Sequence, residues 1–233
     1  CAWLEKGSNK NKIYILLQHD VDSSPKRSWD FVRLEMAKGI RSNVMLFNRR
    51  INRRKFEQTG VLEETEYPVD VPLLKEADKR GFCICYHSNA WDQGQFDRNV
   101  SHQKFREDVD ALRQSYQVNF YSAHGGLRSP VGLTNNCLEA PPELQRNLRW
   151  VHNGATPKFH GQWSDGGINS RARDPNARDL RDFVLKMVPG RRYRILTHPQ
   201  YYDLDFSPER SRLWEAQWFR EVCDLYLKGK GNE

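Results

Sequence analysis

No apolar run in this 233-residue chain approaches the ~20 residues that a membrane-spanning helix needs, so no transmembrane segment is expected. The five cysteines (Cys1, Cys83, Cys85, Cys137, Cys223) form neither a CxxC pair nor a zinc-finger spacing. Their odd number and lack of a framework favour reduced thiols and a cytoplasmic setting. Cys83 and Cys85 alternate along one apolar run, which puts both on one face of a strand as packing residues. No GxGxxG or GxxxxGK[ST] follows any apolar run, so a nucleotide cradle loses its main support. Neither a Pro/Ser/Gly-rich linker nor an internal repeat divides the chain, and one domain over 1–233 is the simplest organisation. Mean hydropathy is low, −0.83, yet 12% aromatic residues and regular apolar runs still supply a core.

What the chain does have is histidine in a particular place. Five of its seven histidines stand at or beside the end of an apolar run: His19 after IYILLQ, His87 after FCICY, His124 after NFYSA, His152 after LRWV and His198 after YRILT. The first run also ends in two acids, Asp20 and Asp22. In parallel α/β folds the carboxyl ends of strands are where loops converge on a site. Imidazoles and carboxylates gathered there suit metal binding and proton transfer.

The pattern predicts strands at 13–18, 43–47, 82–86, 118–123, 150–152 and 193–197. Helices are expected at 25–38 (Ser24 as cap, Pro25 at the first position), 72–80, 101–114, 142–149, 175–188 and 208–227. The segment from Arg49 to Glu66 reads as a long polar loop. Strands alternating with helices imply a parallel sheet, and the fold class expected is α/β, a distorted (β/α) barrel of six or seven parallel strands with outer helices.

Asp20 and Asp22 are two apart, so in an extended segment both point the same way, one to hold a divalent metal and the other to take a proton. His124 leads into two glycines that allow close backbone approach to a ligand. His198 is followed by Tyr201 and Tyr202, a wall for a sugar ring. His19 points away from Asp20 and reads as packing or support for the site. Asp165, in an expected loop, is placed to orient a histidine or to make a turn. His102 and His160 lack a strand-end position. Net charge is +7, from 37 basic against 30 acidic residues. The densest patch, Arg49–Lys55, lacks the interleaved aromatics of a single-strand platform. It reads as a solvated loop face, and no nucleic-acid partner is expected.

Taken together, LLQHDVDSSPKRSWDF, ADKRGFCICYHSNAW, Arg128-Ser-Pro-Val-Gly132 with Asn135-Asn136, and Leu196-Thr-His198-Pro resemble the motifs of the polysaccharide deacetylase superfamily (carbohydrate esterase family 4-like), in its HDVD-type branch. The resemblance implies hydrolysis of an N-acyl group, most often acetyl, from an amino sugar in a polysaccharide or lipid-linked glycan, in the setting of polysaccharide biosynthesis. It implies one divalent metal, usually zinc. Carried over, Asp20 matches the catalytic base, His87 the first metal-binding histidine, Arg128 the arginine that steadies the base, and His198 the general acid. Asp22 is the carboxylate ligand of choice. The second metal-binding histidine is expected four residues after the first, where this chain has Trp91, and His124 from the next strand end is the substitute. A catalytically degenerate glycan-binding or assembly protein on the same barrel is the alternative that Trp91 motivates.

Overall fold

A computed structural model describes residues 9–125, 132–151, 159–165 and 180–202. Chain order runs β1 (Tyr14–Asp20), α1 (Pro25–Ala37), β2 (Asn43–Leu46), β3 (Arg49–Ile51), α2 (Arg53–Thr59), β4 (Glu64–Glu66), α3 (Val71–Lys79), β5 (Cys83–Ser88), α4 (Ala90–Gln93) and α5 (Arg98–Arg113). Then follow β6 (Phe120–Ala123), β7 (Arg149–Trp150), β8 (Gly161–Ser164), α6 (Leu180–Leu185) and β9 (Arg192–Thr197). Seven parallel strands among these, alternating with helices, make the class α/β and the fold a distorted (β/α) barrel.

The chain divides into two compact units. One comprises residues up to Asn43 together with those from Pro157 onward, and the other Val44–Thr156. In the first, β9 lies between β1 and β8, all parallel, with Leu17 opposite Ile195 and Trp163 opposite Ile195. Alternation along these strands sorts the faces. Tyr193, Ile195 and Trp163 pack with Leu180 and Met187, and Ile15 and Leu17 close the same cluster. Ser24 and Pro25 open α1 as expected, though the Ser24 hydroxyl makes no capping bond among the described residues; its carbonyl accepts from Ser28 instead.

In the second unit the parallel order is β7-β6-β5-β2. Helix α5 docks on β5 through the Tyr86 hydroxyl, which donates to buried Asp108 at 2.8 Å, and through Phe105, whose ring meets Tyr86 edge-on at 5.0 Å. Its cap is Asp97, accepting from Val100 N–H, not Ser101, which lies in the first turn. Gly94 ends α4 where a Cβ would lie only 2.6 Å from Ser101 N and 2.7 Å from its Cα, so only glycine fits.

Three local expectations need correction. The polar loop from Arg49 to Glu66 is an antiparallel ribbon, β3 against β4, with α2 between them. Its basic strand faces its acidic strand, with Arg49 3.5 Å from Glu64 and Lys55 3.2 Å from Glu63, so charge complementarity replaces apolar patterning. Residues 142–147 form successive turns rather than a helix. And Trp163 and Ser164, expected in the same loop as Asp165, belong to strand β8 (Gly161–Ser164). The helix expected at 208–227 and His152 lie outside the described residues. Among the described residues no helix is long and apolar enough to cross a membrane.

Candidate active site

In the first unit, β1 carries Asp20 as its last residue and then releases the chain through buried Val21 to Asp22. Proline sets the matching end of β9. Pro199 has no N–H for a ladder and opens a 3-10 turn (Pro199–Tyr201), which leaves His198 as the extended residue before it. Asp165, just past β8, is 2% exposed and takes both His198 backbone N–H (2.6 Å) and His198 Nδ1–H (2.5 Å). With Nδ1 so held, Nε2 faces Asp22 Oδ2 at 3.7 Å. Gln200 donates to the same oxygen at 3.3 Å, its own carbonyl accepting from Arg27 of α1 at 2.6 Å.

The His198 proton affinity follows from these neighbours. Burial would lower it, but the Asp165 hydrogen bond and charge, with the Asp20 and Asp22 charges behind them, push it up to about 9. The imidazolium is therefore the stable form at neutral pH.

His19 is turned away from this group. It bonds Thr197 Oγ1 (2.5 Å) and Glu35 Oε1 (2.8 Å), and Ser42 donates to the other Glu35 oxygen. It locks β1, β9 and α1 together, the supporting role expected of it. Of the two tyrosines expected to wall a sugar, Tyr202 is buried against Phe31, while Tyr201 lies 5.5 Å from the His198 ring.

In the second unit, His87 lies within the last turn of pleat of β5 and His124 directly follows β6. Their rings are 5.3 Å apart. Phe47 packs against both, at 4.9 and 5.1 Å. Ser122 Oγ sits 2.9 Å from His87 Nδ1. Trp91 is 4% exposed with its ring tilted toward Phe96, and Asn135 Oδ1 accepts from its backbone N–H.

No protein-family model and no curated protein matches the chain. Solved structures of family 4 carbohydrate esterases are similar to it. The catalytic domain of a peptidoglycan N-acetylglucosamine deacetylase from Eubacterium rectale is 13% identical with a TM-score of 0.48, over 98% of this chain and 90% of that one. An acetyl xylan esterase from Clostridium thermocellum, in complex with a cobalt ion, is 17% identical with a TM-score of 0.46, over 94% and 85%. A pseudoenzyme of the same family from Bacillus anthracis is 12% identical with a TM-score of 0.44, over 96% and 63%.

Of the residues singled out in the sequence, Asp20, Asp22, Asp165 and His198 thus lie at strand ends of one unit, and His87 and His124 pair in the other. Arg128 lies outside the described residues. Sequence reasoning passed over Gln18 and Arg194, whose signal was a polar residue inside an otherwise apolar strand. Within the basic patch, Arg49 pairs with Glu64 and Glu107, Lys55 pairs with Glu63, and Arg50 lies over the Tyr67 ring at 5.9 Å.

Proposed function

We propose that the chain is a metal-dependent hydrolase that removes an N-acyl group, acetyl foremost, from an amino sugar of a polysaccharide or lipid-linked glycan. The observation that carries this reading is the His198–Asp165 pair beside Asp22. An imidazole held by a buried carboxylate through Nδ1 and kept protonated at neutral pH is suited to hand a proton from Nε2 to a departing amine.

Asp22, His87 and His124 supply one carboxylate and two imidazoles, a donor set that suits catalytic zinc. Where Ser122 Oγ accepts from His87 Nδ1–H, Nε2 is left with the lone pair that a ligand needs. When bound, such an ion would polarise the acyl carbonyl and acidify a water. Asp20 takes the proton of the attacking water, and the water oxygen bonds to the amide carbon. The C–N bond then breaks as His198 protonates the nitrogen, giving a free acid and a free amino sugar. Arg128 takes the steadying role toward Asp20 that the resemblance assigns to it.

Elemental analysis after zinc loading and desalting tests the reading. The parent is expected to retain about one zinc per chain and Asp22→Ala none. A parent that retains no metal overturns it.

Trp91 favours a second reading. An indole has no lone pair to offer a metal, so the chain would be a glycan-binding or assembly protein on the same barrel. Glycan binding would then be indifferent to EDTA, and its loss in EDTA counts against this alternative.

A further inference from the structure

Arg194 sits in the middle of β9 and is 5% exposed. Its neighbours Tyr193 and Ile195 enter the apolar cluster on one face of the strands, so alternation sends Arg194 to the other face. There Nε donates to Gln18 Oε1 at 3.0 Å and Nη1 donates to Gln162 Oε1 at 3.1 Å. Gln18 Nε2 in turn donates to Asp20 Oδ1 at 2.6 Å. Burial lowers the pKa of the guanidinium, and the Asp20 charge opposes that shift. A buried guanidinium in a strand is costly, and an aliphatic residue would serve the sheet at least as well.

The chemistry of the chain of bonds has a direction. Arginine has donors only, so the amide oxygen of Gln18 must face it. The amide nitrogen of Gln18 is then committed to Asp20, where only an acceptor oxygen suits it. We propose that Arg194 is a positioning residue for Asp20, acting through the Gln18 amide, which fixes the carboxylate's orientation before substrate arrives. This rests on the reading of Asp20 as the proton acceptor in the hydrolase proposed above. It would be a second arginine serving Asp20, separate in sequence from Arg128, to which the resemblance gives that role.

Two measurements test it. Side-chain amide NMR of the parent, Asp20→Ala and Arg194→Lys needs no substrate. The Gln18 amide resonance is expected to shift in both variants, and a resonance unmoved in both overturns the relay. Kinetics of acetate release from an N-acetylglucosamine oligomer by the zinc-loaded chain come next. Arg194→Ala and Gln18→Leu are each expected to lower kcat about tenfold or more, with KM within about twofold. The double variant is expected to be no slower than the slower single one, because both changes break one connection. Added guanidinium ion should raise kcat of Arg194→Ala and leave Gln18→Leu unchanged. Losses that multiply in the double variant, or KM rising in step with the fall in kcat, overturn the proposal. Should Arg194→Ala fail to fold, Gln18→Leu with Gln18→Glu, which replaces the donor to Asp20 by a second carboxylate, carries the same kcat test. A parent without activity defeats the hydrolase reading, while the amide spectra still decide the relay.

Discussion

The contacts of the histidines differ between the two units. His198 is surrounded by carboxylates: Asp165 clamps one nitrogen, Asp22 faces the other, and the imidazolium is favoured. His87 and His124 instead stand against the face and edge of Phe47, with the Ser122 hydroxyl on His87. A carboxylate partner suits a group that must carry and release a proton. A metal ligand must be the neutral imidazole. In the function proposed above, one residue type serves two kinds of chemistry.

The largest effect should come from removing the proton acceptor. Asp20→Asn is expected to lower kcat by about 10³-fold while zinc content per chain stays at the parent level, since a general base contributes on that order. Undiminished turnover in this variant breaks the charged side of the comparison. On the neutral side, Ser122→Ala removes the anchor of His87. Zinc affinity, measured by competition with a chromophoric chelator, should weaken about 10- to 100-fold. An unchanged affinity would show that the hydroxyl does not orient a ligand.

A smaller effect is set by pH. The folded His198 has a pKa of about 9 against an ordinary 6.5, so the fold prefers the charged ring. Its contribution to stability is complete below 6.5 and is lost as pH rises through about 9. In metal-free chains, the stability gap between parent and His198→Gln in urea should narrow across that window, and a gap that widens would reverse the assignment. The smallest effect is expected in the β3–β4 ribbon. Arg49→Ala should change stability by no more than about 1 kcal/mol, because its ion pairs with Glu64 and Glu107 are partly exposed.

The strands that carry histidines were legible because each is an apolar run with an abrupt polar end. That pattern is dictated by burial on both faces, as parallel strands require. Strand β8 was not, because Gly161-Gln-Trp-Ser164 holds a single large apolar residue, and its place in the sheet comes from pairing with β9. The ribbon was missed because its strands match by charge, and a lone charged segment carries no period. Helix α5 was expected to start at 101 and starts three residues earlier, at Arg98, capped by Asp97. For the site, strand ends selected His87, His124 and His198. Asp165 was open as a residue to orient a histidine, but that His198 is the one it meets could not be read, because the two are 33 residues apart and only the adjacency of β8 and β9 brings them within 2.5 Å. Gln18 and Arg194 hid for a similar reason: a polar residue within a strand declares itself only when the strand beside it is known.

Gly94 has a different kind of importance. The backbone of Ser101 fills the space that any side chain there would need. A complete substitution scan scored by growth or by activity would therefore mark Gly94 as intolerant to the same degree as Asp20. Adding excess zinc or substrate would leave that score unchanged, because the obstacle is one of volume at the joint between α4 and α5. Homologues that keep this corner should keep the glycine, and its invariance would record the shape of the corner rather than a step in a reaction.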